Sequence, residues 1–530
     1  MSVEKDYSHM KSLQTLLSLC LTLCLAAAAS AEVKPASLFS DHMVLQSGMS
    51  VPIWGTADPA EKITIKFHGQ TRSATADAAG KWMVHLAKLK AGGPFEMTIA
   101  GNKAGEATIL VKDILVGEVW LGSGQSNMDF TVATTQRHYF AGVKNEAEEI
   151  AAANYPQIRM FTGGWKNSYE PQTDISGSWL IVTPENVKEM SAIGYLFARD
   201  MQKELKVPFG IVTEAFGAST AEAWTSREAL AAEPQLKPLL EAFDAKVAAY
   251  KTNPPDMTAA IKAWQEATAK AQAAGQRQPR RPGNGDPVGD QHNPTVMYNG
   301  MIAPVIPYAI RGVLWYQGEA INGGATGYKL YPLLQATLIK DWRQRWGEGN
   351  FPFYICQLAP LKRWPDRPDT WYNNPDVREA QATVLALPNT GMAVTIDIGD
   401  PANIHPKDKQ DVADRLTRIA LARTYGRKIE YSGPMYDSMK VEGSAIRIHF
   451  THATGGLVAK GGDLKTFVIA GKDGKFVPAT ATIDRGDVVV SSPDIADPAA
   501  VRYAWDNYPE GCNLFNGDGL PAAPFRTDTW

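Results

Sequence analysis

One serine of this chain lies in a setting that suits catalysis. Ser126 follows an apolar run, in the order Gly122-Ser-Gly-Gln-Ser126-Asn-Met. A turn that contains glycine lets a serine hydroxyl project, and nearby backbone N–H groups can then face a developing oxyanion. Serine is also a common helix cap, and the segment lacks the Gly-x-Ser-x-Gly pattern of the common hydrolases. Taken alone, the segment is equally consistent with a nucleophile and with a cap.

A reactive serine needs a base with a pKa near neutrality, and histidine usually supplies it. His405 follows an apolar, strand-like run, whereas His138 follows no predicted strand and His292 lies in a polar loop. A lone histidine is more often structural than catalytic, so His405 gains weight only beside a serine. Asp400 and Asp397, five and eight residues upstream, are candidates to orient its imidazole.

Two further segments follow predicted strands. Gln317 and Glu319 can donate to an oxyanion or orient a base, although a hydrogen-bonded loop explains either residue taken alone. Gly217 can offer an unobstructed backbone N–H group. The chain has no HExxH motif, no paired Cys/His cluster and no Gly-rich phosphate loop. The sequence therefore predicts neither a metal nor a cofactor.

Apolar strands alternate with amphipathic helices from about residue 113 onward. The predicted strands are 114–121, 209–215, 313–316, 351–358 and 392–398. The predicted helices are 192–205, capped by Ser191, then 331–346 and 407–425. This alternation predicts an α/β fold with a doubly wound parallel sheet. Ligands of such sheets bind beyond the carboxyl ends of the strands, which is where the candidate residues lie.

A chain of 530 residues exceeds what one hydrophobic core usually serves. Short β-branched and aromatic runs separated by turn residues predict a β-sandwich region over 36–112. The α/β core extends over 113–430, with an Ala-, Glu- and Lys-rich helical insertion at about 226–292. Similar strand patterns predict a second, jelly-roll-like β region over 431–530.

The N-terminus has the layout of a secretory signal peptide. Lys11 precedes an apolar stretch that ends in Ala29-Ser30-Ala31, which predicts cleavage after Ala31 and a secreted or periplasmic protein. A membrane anchor is the alternative, but the apolar stretch is short for a bilayer. The net charge of −3 without a long basic run predicts no nucleic-acid partner and no stable membrane association after cleavage.

Two cysteines, Cys356 and Cys512, remain outside the predicted signal peptide. They can pair in an oxidising compartment, but their spacing neither supports nor forbids a disulfide.

Several segments together resemble the sialate O-acetylesterase family of SGNH-type carbohydrate esterases. They are LFSDHMVLQ, GEVWLGSGQSNM, AEAWTS, YNGMIAPVIPYAIRGVLWYQGE and IHPKDKQDVADRL, which occur in the family's order. Any one segment is weak, but the ordered set is specific and extends over essentially the whole mature chain. The resemblance implies that Ser126 is the nucleophile and His405 its base. It also implies an oxyanion hole lined by the backbone N–H groups of Ser126 and Gly217, with a side-chain amide from the segment that contains Gln317 and Glu319.

The chain departs from the family pattern at two places. The position three residues before His405, where SGNH enzymes often have the acid, is Ala402. Asp400 is therefore the expected orienting acid, with a Ser–His dyad or help from Glu319 as alternatives. The asparagine after the Gly-Glu pair is shifted by one, to Asn322. Gln317 therefore takes precedence over Asn322 as the amide donor.

The resemblance implies a secreted serine esterase that removes acetyl groups from an oligosaccharide or polysaccharide. The expected substrates are acetylated hemicellulose, xylan or xyloglucan, or O-acetylated sialic acid. The loop after the fourth strand contains two tryptophans that can stack on a sugar and two arginines that can pair with a sialate carboxylate: Trp364, Trp371, Arg363 and Arg367. The alternative is a catalytically inactive secreted carbohydrate-binding protein, and the presence of both Ser126 and His405 counts against it.

Overall fold

The computed structural model describes residues 32–276, 278–279, 281–323, 327–362 and 374–530. The predicted signal peptide and the loop residues Arg363, Trp364, Arg367 and Trp371 lie outside this range.

The strands of the described residues are numbered in chain order. They are β1 (Lys34–Pro35), β2 (Val44–Gln46), β3 (Val51–Thr56), β4 (Lys62–Phe67), β5 (Gln70–Thr75), β6 (Lys81–Leu86), β7 (Gly92–Ala100), β8 (Ile109–Gly124), β9 (Tyr155–Thr162), β10 (Trp179–Val182), β11 (Phe209–Ala215), β12 (Gly312–Tyr316), β13 (Phe353–Cys356), β14 (Thr390–Ala393), β15 (Met435–Glu442), β16 (Ala445–Thr451), β17 (Leu457–Ala459), β18 (Phe467–Ala470), β19 (Phe476–Pro478), β20 (Thr480–Asp484), β21 (Asp487–Ser491), β22 (Ala500–Tyr503), β23 (Leu514–Asn516) and β24 (Phe525–Arg526).

The α-helices are α1 (Ser126–Asp129), α2 (Glu146–Ala152), α3 (Ala192–Leu205), α4 (Arg227–Ala232), α5 (Lys237–Thr252), α6 (Thr258–Ala273), α7 (Gly327–Trp346), α8 (Asn374–Ala382) and α9 (Lys409–Arg423). Short 3₁₀ helices occupy Val187–Glu189, Ala221–Trp224, Pro287–Gly289, Glu319–Gly323 and Thr383–Ala386, and a π-helical turn occupies Tyr298–Ile302. None of the helices in the described part of the chain combines the length and hydrophobicity that a membrane crossing requires.

The chain divides into two compact units. The smaller one contains residues 32–36, Ile53–His85 and Met97–Leu110, and the larger one contains Ser37–Pro52, Leu86–Glu96 and the described residues of Val111–Trp530. In the smaller unit β4 pairs antiparallel with β5 and with the end of β7. Ile63, Ile65 and Phe67 of β4 are buried, alternating with more exposed residues. This period-two pattern places one face of the strand in a core.

A largely parallel sheet forms the centre of the larger unit, with the strand order β10-β9-β11-β8-β12-β13-β14. Neighbouring strands from β9 to β14 are parallel, and β10 is antiparallel at the edge. Strands β11 and β9 lie on one side of β8, and β12, β13 and β14 lie on the other. The chain therefore reverses its direction of travel across the sheet at β8, and such a point leaves a crevice at the carboxyl ends of the strands.

Helices and the sheet bury each other's apolar side chains. Helices α3 and α9 pack together, α3 against β9 and β11, and α9 against β13 and β14. Ser191 caps α3 as predicted, because its hydroxyl accepts a hydrogen bond from the N–H group of Gly194 at 3.2 Å. Trp342 of α7 meets Trp315 of β12 edge to face, with ring centroids 5.8 Å apart. The predicted α/β architecture is confirmed.

One predicted strand is wrong beyond its first residues. The run 392–398 is strand only as far as Ala393, where β14 ends. The carbonyl of Val394 accepts a hydrogen bond from Arg415 of α9, and the hydroxyl of Thr395 donates to the carbonyl of Gln357 at 2.8 Å. Side chains thus replace the backbone ladder here, and the loop that leads to His405 begins earlier than predicted.

The C-terminal part of the larger unit is antiparallel β structure, in agreement with the strand pattern of the sequence. One sheet has the order β15-β16-β21-β20, another has the order β19-β18-β22-β24, and β17 pairs with β23. The two cysteines that could have formed a disulfide, Cys356 and Cys512, are both free thiols.

Candidate active site

Ser126 lies at the carboxyl end of β8, where the chain turns into α1. Gly124 makes this turn possible: its φ angle is +133°, and a Cβ atom there would lie 2.1 Å from the carbonyl oxygen of Tyr316. The backbone N–H group of Gln125 donates to that same carbonyl at 2.9 Å, which joins the turn to the end of β12. The turn leaves the Ser126 side chain half-buried at the mouth of the sheet.

His405 reaches Ser126 from the loop between β14 and α9. Its Nε2 atom lies 2.8 Å from the Ser126 hydroxyl oxygen. The imidazole ring stacks on Phe140, with centroids 4.2 Å apart and planes inclined by 28°. Burial lowers the pKa of His405 to about 4, with a smaller contribution from the charge of Lys409. At neutral pH the ring is therefore uncharged and able to accept the serine proton.

Neither of the predicted acids is bonded to this histidine. The Asp400 carboxylate accepts a hydrogen bond from the backbone N–H group of Ala402 at 2.8 Å. The Asp397 carboxylate forms a two-fold ion pair with Arg415, with both N–O distances 2.7 Å. Within the described ranges, no hydrogen bond joins either carboxylate to His405. The assignment of Asp400 as the orienting acid stays a prediction.

The predicted oxyanion donors Gly217, Gln317 and Asn322 lie in different surroundings. Gly217 lies directly beside the nucleophile, since a Cβ atom added to it would be 3.7 Å from the Cβ atom of Ser126. Gln317 is fully buried, and its side-chain amide donates to the carbonyl of Ser219 at 3.2 Å and accepts from the Tyr331 hydroxyl at 2.7 Å. Asn322 belongs to the 3₁₀ helix Glu319–Gly323, and its side chain lies outside the described part of the structure.

Glu319 belongs to a buried polar cluster that the sequence did not reveal. Its carboxylate accepts a hydrogen bond from the Asn127 amide, and burial raises its pKa. The Asn127 amide oxygen in turn accepts from the Lys409 ammonium at 2.8 Å. Burial lowers the pKa of Lys409 to about 7. Asn127 directly follows Ser126, and Lys409 is four residues after His405. This closeness in sequence to the nucleophile and to the base is the signal from which the two residues could have been predicted.

The described residues contain no group of three or more His, Cys, Asp or Glu side chains arranged to hold a metal ion. The chemistry that the site can perform is that of a serine hydroxyl bonded to a neutral histidine at the reversal point of a parallel sheet. This arrangement suits nucleophilic attack on a carbonyl carbon.

Comparison with known proteins agrees with this chemistry. Residues 285–420 match the family model of sialic acid-specific acetylesterases, a group of carbohydrate esterases. The sialate O-acetylesterases of Rattus norvegicus and Homo sapiens are each 29% identical to the chain, over 92% and 96% of it and over 93% and 95% of their own lengths. A carbohydrate acetylesterase from Xanthomonas citri is 34% identical, with a TM-score of 0.77, over 94% of this chain and 100% of its own. The chain therefore belongs to the sialate O-acetylesterase family and is a carboxylic-ester hydrolase.

Proposed function

We propose that the protein hydrolyses acetyl esters on carbohydrates, with Ser126 as the nucleophile and His405 as the general base and acid. The observation that carries this proposal is the 2.8 Å hydrogen bond between the Ser126 hydroxyl and His405 Nε2. In the tautomer that this mechanism requires, Nε2 accepts the hydrogen bond and the ring proton is on Nδ1. A serine paired with a neutral imidazole can be deprotonated as it attacks.

The reaction proceeds in two acyl-transfer steps. The Ser126 oxygen attacks the acetyl carbonyl carbon while its proton passes to His405, and the resulting oxyanion faces backbone N–H groups at Ser126 and Gly217. The intermediate collapses, the C–O bond to the sugar breaks, and His405 returns the proton to the leaving sugar oxygen. Water, deprotonated by His405, then attacks the acetyl-enzyme and releases acetate. Loss of one oxyanion donor typically lowers the rate by about 10²–10³-fold.

The fold assignment is part of the same proposal. We assign 113–430 to a doubly wound SGNH-type core flanked by a β-sandwich region over 36–112 and a jelly-roll-like region over 431–530. The parallel order from β9 to β14, and the antiparallel sheets built from β15 to β24, support this assignment.

A tryptophan near the nucleophile supports a sugar as the leaving group. Trp165 is 43% exposed, and its indole N–H group donates to the carbonyl of Ala215, two residues before Gly217. Its ring also packs on Phe216, with centroids 5.1 Å apart. The Arg137 guanidinium lies 3.8 Å from the centre of the indole ring. Aromatic rings bind the apolar faces of sugars, and an arginine nearby can bind hydroxyl or carboxylate oxygens.

The substrates that we propose are acetylated xylan or xyloglucan oligosaccharides, with O-acetylated sialic acid as the second candidate. The leader-like N-terminus supports a secreted or periplasmic location, where such glycans are met. Release of acetate from the two substrate classes, measured side by side at equal concentration, tests the preference. A higher kcat/KM on O-acetylated sialic acid contradicts the hemicellulose assignment without affecting the esterase assignment.

The esterase assignment is tested by the Ser126→Ala variant. We expect wild-type protein to release acetate from an acetylated aryl ester and Ser126→Ala to lose at least about 10³-fold in kcat, because the acyl acceptor is gone. Ser123→Ala is the matched control: this serine is also in β8, and its buried hydroxyl has no hydrogen-bond partner among the described residues. Equal activity of wild type and Ser126→Ala, or absence of activity in both, contradicts the proposal.

A further inference from the structure

Two fully buried polar side chains bond to the backbone on both sides of His405. The Asn127 amide donates to the carbonyl of Ile404 at 3.1 Å. The Lys409 ammonium donates to the carbonyl of Pro406 at 2.5 Å, and also to the Asn127 amide oxygen at 2.8 Å. Asn127 is 0% exposed and Lys409 is 1% exposed, so these bonds are shielded from water. The loop that carries the base is thereby tied to the residue that follows the nucleophile.

A buried amine at this position carries a free-energy cost, because the group is removed from water. An apolar side chain of the same length would avoid this desolvation. The Lys409 nitrogen lies 4.2 Å from the centre of the Phe130 ring, in surroundings that include Tyr316. Glu319 is the charged group that most strongly favours its protonation, and it reaches Lys409 through Asn127. In this position the amine donates two oriented hydrogen bonds, one to the Pro406 carbonyl and one to the Asn127 amide oxygen. Both hydrogen bonds fix the geometry of the backbone beside His405.

The orientation of His405 is otherwise supported weakly. Its ring stacks on Phe140, and its backbone N–H group donates to the Asn403 side chain at 2.9 Å. Asp400, the predicted orienting acid, is bonded instead to the backbone of Ala402. A base that is not held by a carboxylate must be held by the backbone that carries it, because a displacement of about 1 Å can cost about 10²-fold in rate.

We propose that Asn127 and Lys409 are positioning residues of the esterase, which hold His405 against Ser126 through the carbonyl groups of Ile404 and Pro406. We call this pair the Asn127–Lys409 clasp. The inference rests on the proposed function, since it assigns the clasp to the base of that reaction. Neither residue touches the reacting atoms; each acts through the loop backbone.

The Lys409→Met variant tests the clasp, because methionine keeps the chain length and apolar packing but removes the donors. We expect kcat on an aryl acetate to fall by about 10–10²-fold, with KM changed less than about twofold. The acid limb of the kcat/KM profile also shifts to higher pH, because Lys409 no longer opposes a positive charge on His405. A merely structural contribution to folding would not move that limb.

Two further variants complete the test. Asn127→Ala keeps the buried amine but removes the donor to Ile404, and we expect a similar loss of kcat; it also serves if Lys409→Met does not fold. Lys144→Met is the control, since its ammonium is 60% exposed and pairs with Asp408 at the start of α9. We expect its kcat to match that of wild type. A kcat within twofold of wild type for folded Lys409→Met or Asn127→Ala overturns the clasp. If Ser126→Ala is inactive in the same assay, the esterase assignment survives that result.

Discussion

At the scale of single residues, the site depends on keeping His405 uncharged. Burial favours the neutral ring and lowers the pKa of His405 to about 4. A base is in its active, neutral form above its pKa. Its activity is lost as the pH falls through that lowered pKa, because the ring becomes protonated. We therefore expect kcat/KM to stay constant from neutral pH down to about pH 5 and to fall below that. The measurement is acetate release in overlapping buffers, corrected with Ser126→Ala. A midpoint near pH 6.5, the ordinary histidine value, contradicts the expectation.

Asp400 offers a second test at this scale. If its carboxylate orients His405, Asp400→Asn should resemble the loss of a triad aspartate, about 10⁴-fold in kcat. Since the carboxylate is bonded to Ala402 in the structure, we expect a loss of less than about 10-fold instead. Comparison of kcat for Asp400→Asn and wild type at pH 7 decides between the two. A loss of more than 10³-fold in kcat would mean that Asp400 orients His405 as the third member of a triad. The Asn127–Lys409 clasp would then contribute less to the position of His405.

The sequence pointed to the chemically reactive residues of the site but not to those that support them. Ser126 and His405 were found because each follows a predicted strand and both lie in the ordered set of family segments, and the structure places them in contact. Lys409 lies on a charged helix, where a lysine ordinarily points into solvent, and no periodicity marks it as buried. Phe140 lies in an irregular loop, so its stacking on His405 depends entirely on tertiary structure.

At the scale of elements, one side chain links a helix cap to the nucleophile turn. The Ser191 hydroxyl accepts from the N–H group of Gly194 at the start of α3 and donates to the carbonyl of Met128 in α1 at 2.7 Å. We expect Ser191→Ala to lower the free energy of unfolding by about 1–2 kcal/mol, from the lost cap and the unpaired carbonyl. Because α1 begins with Ser126, kcat should fall as well. Urea titration and acetate release measure the two effects.

The matched control is the serine that caps another helix. Ser226 accepts from the N–H group of Ala229 at the start of α4 and donates to Asp341 at 2.8 Å, with no bond to α1. Ser226→Ala should therefore lose stability but keep its kcat. If both variants lose kcat in proportion to their stability, the link between the cap and the nucleophile is not specific.

Elements were predictable where the hydrophobic period was unambiguous. The predicted strand 209–215 coincides with β11, since all seven of its residues are buried and turn residues flank it. The strand predicted at 392–398 was too long, because side chains of α9 and of the loop itself replace the sheet partners after Ala393. An apolar run records burial, and burial alone does not distinguish a paired strand from a covered loop.

At the scale of the whole molecule, the larger unit depends on how its C-terminal β region joins the α/β core. Arg378 of α8 is fully buried and donates three hydrogen bonds to backbone carbonyls, those of Leu358, Asp506 and Asn507, at 2.9, 2.7 and 2.9 Å. Burial lowers its pKa to about 10, but the side chain stays charged at neutral pH. A planar guanidinium suits this task because its donors are fixed in direction.

Replacement of Arg378 by methionine should therefore weaken the joint strongly. The substitution keeps much of the apolar volume but leaves the carbonyls of Leu358, Asp506 and Asn507 unpaired in a buried site, and each such loss costs about 1–3 kcal/mol. We expect the free energy of unfolding in urea to fall by about 3–5 kcal/mol. Lys362→Met is the control. The Lys362 ion pair with Glu510 crosses the same joint, but its two side chains are 52% and 74% exposed, and solvent-exposed pairs contribute little to stability. Equal losses in the two variants would mean that exposed charges, and not the buried guanidinium, connect the C-terminal region to the core.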